Sequence, residues 1–77
     1  MFKAMKLKKG IKKCLSNIED LERRRSRSQA ALVEAILTHT DPKDDDVDYF
    51  NRFSERIDEE RNRLHALQQE LKLLEGR

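Results

Sequence analysis

The chain is short of the residues that break helices or build enclosed sites. With two glycines and one proline in 77 residues, there is little material for turns, and no stretch shows strand-like alternation or an internal repeat. Cys14 is the single cysteine, which excludes an internal disulfide and leaves the thiol to act as a small hydrophobe in a reducing, cytoplasmic setting. Tryptophan is absent and aromatics make up 5% of the chain, a composition that disfavours a deep substrate pocket and with it an enzyme. Long apolar runs are missing too. Phe2, Ala4, Met5 and Leu7 are interrupted by lysines, so neither a signal peptide nor a transmembrane segment is expected.

What the chain has in quantity is charge, at 42% of residues with a net of +2, and a period of 3.5. Ile11, Cys14, Ile18, Leu21, Arg25, Ser28, Leu32 and Ala35 form one a/d series. Phe50, Phe53, Ile57, Glu60, Leu64, Leu67, Leu71 and Leu74 form another. Folded at Pro42-Lys43, the two series mirror each other, and the numbers of each facing pair add to 85. An a position meets a d position in every layer, as an antiparallel coiled-coil hairpin requires. The predicted fold is therefore all-α. A basic lead-in over 1–10 precedes helix 1 at about 11–38, a turn at about 39–42 and helix 2 at about 43–75. Asp41 is the expected N-cap with Pro42 at the first helical position, Asp44, Asp45 and Asp46 sit where the helix dipole favours them, and Gly76 marks the stop. Residues 1–39 carry net +6 and residues 40–77 net −4, so the two halves attract on closure.

The polar members of the ladders suggest how register is set. Arg25 and Glu60 are the only charged residues in either series and share a layer under the 85 rule, which makes them the expected structural polar layer. Around Arg25, the run Arg23, Arg24, Arg25 and Arg27 resembles an arginine-rich nucleic-acid contact. Its alternative role is ion pairing with Asp58, Glu59 and Glu60 across the hairpin.

Two outer features point to partners. Under the mirror rule Leu7 has no facing residue, so Lys3, Lys6, Lys8, Lys9, Lys12 and Lys13 should overhang the hairpin, with Gly10 as hinge, free to meet nucleic-acid phosphates, an anionic surface or a subunit. Ala30, Val33 and Leu37 form an apolar stripe outside the seam, with Tyr49 and Val47 near the same end. One seam is a small core for a chain of this size, so the stripe suggests a homodimer closing into a four-helix bundle, or another protein partner.

No cofactor or metal is expected. His39 and His65 lack partners at zinc spacings, and the acidic run Asp41 to Asp48 lacks the central glycine and terminal glutamate of a calcium loop. Ser54-Glu55-Arg56-Ile57-Asp58 is similar to the Ser-Gln-Glu-Leu-Asp signature of Spo0E-like aspartyl-phosphate phosphatases, small two-helix proteins. The match spans five residues, three of which agree in kind, and departs at the Gln-Glu pair. The resemblance implies Asp58 as the functional residue and a response-regulator domain as partner. The first expectation is a non-catalytic protein-interaction or assembly module, a hairpin adaptor, cochaperone or inhibitor. A nucleic-acid-binding bundle using the Lys-rich N-terminus and the Arg23–Arg27 run comes second, and the phosphatase third.

Overall fold

A computed structural model describes residues 2–76 as two long helices, α1 (Phe2–Leu37) and α2 (Asp44–Glu75). They lie antiparallel along each other in a helical hairpin, a rod measuring 58 × 16 × 14 Å. Leu, Lys, Arg, Glu and Ala fill most helical positions, and their side chains lose little freedom in a helix, so α1 runs for 36 residues with one interior glycine.

Helix α1 ends in a Schellman turn. His39 adopts the left-handed conformation (φ 56°), its N–H donates to the Ile36 carbonyl at 3.2 Å, and the Thr40 N–H donates to the Ala35 carbonyl at 2.9 Å. The Thr38 hydroxyl donates to the Glu34 carbonyl at 3.0 Å, and that of Thr40 to the Ala35 carbonyl at 3.3 Å. These groups satisfy carbonyls that the last helical turn cannot pair. The chain then crosses to α2 over residues 38–43.

Helix α2 starts later than the Asp41-Pro42 signal implies. Lys43, in an extended conformation, occupies the N-cap and makes no side-chain cap bond. Pro42 is spent on the crossing, because the residue before a proline is held extended and the strands of the connection must span the distance between helix axes. Asp44, Asp45 and Asp46 do fill the first turn. At the far end Gly76 closes α2 with its N–H on the Lys72 carbonyl at 2.9 Å.

The seam uses the expected a/d residues, but the register differs by one heptad. The Gly10 Cα faces Leu67 so closely that an added Cβ would lie 3.2 Å from Leu67 Cδ1. Lys3 pairs with Glu70 at 3.6 Å, Glu22 with Arg61 at 2.9 Å, and Arg25 with Ser54 at 3.4 Å. The numbers of these pairs centre near 78 instead of 85. A slip of seven keeps every a/d residue facing inward and changes only its partner. Leu7 thereby gains a place opposite Leu71 and is buried at 7% exposure, while Leu74 is left at the rim at 36%.

Three expectations change with that slip. Residues 2–10 of the basic lead-in are part of α1, packed against the C-terminal turns of α2, and do not overhang. Gly10 is a point of close helix approach, with no break in the helix there. Arg25 and Glu60 do not share a layer. The centre of the core is Ile18, Leu21 and Ile57, flanked by Phe53 and Leu64, and Ile57 is fully buried.

Candidate binding surfaces

The polar members of the seam acquire new neighbours in this register. Arg25 reaches across α2, donating to Ser54 Oγ at 3.4 Å and standing 5.9 Å from the centroid of the Phe50 ring, a cation–π distance. Glu60 lies about two turns away from those groups, beside Cys14. Its Oε1 is 3.9 Å from Arg63 on its own helix, and its buried Oε2 has no hydrogen-bond partner. The expected Arg25–Glu60 ion pair is thus absent among the described residues. A register slip of seven residues moves the two about 10 Å apart along the axis.

Cys14 is 2% exposed in the seam. Burial pushes its thiol above the usual range, and the neighbouring Glu60 carboxylate acts in the same direction, against weaker opposition from Arg63 and Lys13. The arrangement makes Cys14 an inert, protonated core residue. Sequence reasoning missed the Cys14–Glu60 neighbourhood because it follows from the register alone.

Two arginines of the run are paired, with other acids than expected. Arg23 meets Glu19 at 3.7 Å and Arg24 meets Asp20 at 3.2 Å, both one turn back on α1. Across the hairpin the pair is Glu22 with Arg61 at 2.9 Å. These exposed pairs contribute little stability individually, and Arg25 and Arg27 have no carboxylate within ion-pair distance among the described residues.

The apolar stripe stays outside the seam. Ala30, Val33, Ile36 and Leu37 are exposed on α1, with Ile36 at 67% and Leu37 at 74%. On α2, Val47 and Tyr49 are exposed at the same end of the rod. The Tyr49 ring stacks on Phe53 one turn away, with centroids 6.3 Å apart, which orients it as a fixed apolar plate beside Ser28 and Arg24 in a shallow groove. Folding the hairpin therefore leaves Val33, Ile36 and Leu37 of α1 exposed together, with Val47 and Tyr49 exposed on α2 at the same end.

The lysines are exposed along the first four turns of α1. Lys3 is bridged to Glu70. Lys6, Lys8, Lys9, Lys12 and Lys13 have no carboxylate within ion-pair distance among the described residues.

Asp58 stands exposed on the solvent side of α2, next to buried Ile57, and Ser54 is engaged by Arg25. His39 serves the turn, and His65 is exposed. Among the described residues no three His, Cys, Asp or Glu side chains converge to hold a metal, and no helix is long and apolar enough to cross a membrane. No protein-family model matches the chain, and neither does any curated protein or solved structure.

Proposed function

We propose that the chain is a non-catalytic assembly module, a helical-hairpin adaptor, cochaperone or inhibitor that acts by binding protein through the outer face of its loop end. The observation that carries this reading is the exposed stripe of Val33, Ile36 and Leu37 on α1. A second copy of the chain is the first candidate partner, because two such patches brought together make a four-helix bundle. The motive is energetic. A two-helix seam with one fully buried large side chain is a small core, and covering three or four more apolar side chains per subunit adds several kcal/mol at about 25 cal/mol per Å². The acidic turn at this end, with Asp41, Asp44, Asp45 and Asp46, keeps the free hairpin dispersed in water.

Light scattering on the eluted chain tests the reading. The expected result is a dimer that Val33→Glu with Leu37→Glu converts to monomers of lower helicity and lower Tm. A wild-type chain that remains monomeric and folded at high micromolar concentration overturns self-association and leaves a different protein as the occupant.

A further inference from the structure

The two ends of the rod carry opposite charge. Residues 2–17 and 62–76, which together form the end away from the loop, hold eight Lys or Arg against two acids, and residues 30–50 at the loop end hold one Lys against six acids. The separation therefore runs along the 58 Å axis, in addition to running from one helix to the other. Within the basic end, one acid, Glu70, is already bridged by Lys3.

The outer face of α1 there combines charge with unburied apolar surface. Phe2, Met5, Lys9 and Lys12 recur at three- and four-residue spacing on the side opposite the seam, and Lys6 and Lys13 flank them. Phe2 is 82% exposed and Met5 55%, and Leu73 is 70% exposed on α2 at the same end. Nothing in the hairpin covers these side chains, although Leu7, two residues beyond Met5, is buried in the seam. The unbridged lysines begin one residue beyond Met5 and continue for about 10 Å of helix.

We propose that this end of the rod docks on an anionic lipid surface. Phe2 and Met5 enter the boundary between headgroups and acyl chains, while Lys6, Lys9, Lys12 and Lys13 lie among the lipid phosphates and carboxylates, their aliphatic stems over the acyl boundary. One feature favours a bilayer over a nucleic-acid backbone. A phosphate backbone would satisfy the lysines but leave Phe2 and Met5 in water. The acidic loop end is repelled by the same surface, so the rod tilts with its loop end away from the lipid. This inference is independent of the loop-end reading, since Val33 and Leu37 lie at the other end.

Co-sedimentation of the full chain with vesicles tests it, comparing phosphatidylcholine alone with phosphatidylcholine containing phosphatidylserine. The expected result is binding to the anionic vesicles only, weakening as salt is raised. Replacing Lys6, Lys9, Lys12 and Lys13 together with Gln should lower partitioning by roughly fivefold per lysine, several hundredfold in all. Phe2→Ser with Met5→Ser should lower it at least tenfold at unchanged salt dependence, roughly the loss expected for two apolar side chains. All six positions are exposed, so far-UV circular dichroism should show each variant as helical as the parent, and replacing the same four lysines with Arg should retain binding. Equal binding to neutral vesicles, no binding to either, or lysine-dependent binding that ignores Phe2 and Met5 and is matched by single-stranded RNA would overturn the proposal.

Discussion

The two ends of the hairpin are built from the same heptad pattern and finish very differently. At the end away from the loop, the helices approach closely at Gly10 against Leu67, and Leu7 and Cys14 are buried. At the loop end the seam carries Ser28, Leu32 and Ala35 on α1, of which only Ser28 is buried, while Val33, Ile36 and Leu37 remain in water. Gly10 and Cys14 let the bulky leucines of α2 approach closely, so that Cys14 is buried while Gly10, Leu64, Leu67 and Leu71 are half-buried. Five residues of α1 are buried for one of α2, although the α2 ladder is the more apolar. Periodicity decides which residues face inward; local volume decides how much water is excluded once they do.

The largest expected effect tests that contrast directly. Leu7→Ala should destabilise the hairpin by about 2–4 kcal/mol, as for other buried leucines, whereas Leu37→Ala in dilute, monomeric chain should stay within about 0.5 kcal/mol. Urea titrations followed by circular dichroism measure both. Equal losses would mean that the two ends are packed alike and that Leu7 is not in the seam.

Between the ends lies Glu60, whose buried Oε2 lacks a partner. Glu60→Leu should stabilise by about 1–2 kcal/mol, since an unsatisfied buried carboxylate oxygen is removed and apolar contact with Ile18 gained. Combined with Arg25→Leu, the effect should be additive within about 0.5 kcal/mol, because side chains this far apart without shared partners do not couple. A large coupling energy would restore the 85 register and remove Leu7 from the core. The same Glu60→Leu variant should lower the Cys14 thiol toward its ordinary value near 9.0, leaving burial as the remaining cause. The sign is fixed by linkage. A thiol held up by the fold contributes stability that is complete below the unfolded value and is lost as pH rises through the folded one, so the wild-type chain should weaken above about pH 9 and the variant less so.

The smallest effect belongs to the loop. His39 holds a left-handed backbone that costs a side chain more than it costs glycine. His39→Gly should raise stability by about 0.5–1 kcal/mol, with the gain from relieved strain partly offset by a freer unfolded chain. A loss instead would show that the His39 side chain makes contacts that stabilise the turn.

The sequence by itself determined the all-α hairpin, the seam membership of the a/d residues and the exposure of the Ala30, Val33 and Leu37 stripe. Those follow from hydrophobic spacing, which depends on nearest turns of a single helix. It did not determine which layer faces which. A heptad ladder maps onto itself after a shift of seven, so the same residues face inward in either register and the pattern carries no preference between them. The Schellman turn at His39, the extended run through Pro42 to Lys43 and the gain of Leu7 at the expense of Leu74 belong to the tertiary structure. From that choice follow the separation of Arg25 from Glu60, the pairing of Glu60 with Cys14 and the incorporation of the lysine-rich segment into α1. Register is a property of two helices and the connection that joins them, and is decided only when both ends of the rod are assembled.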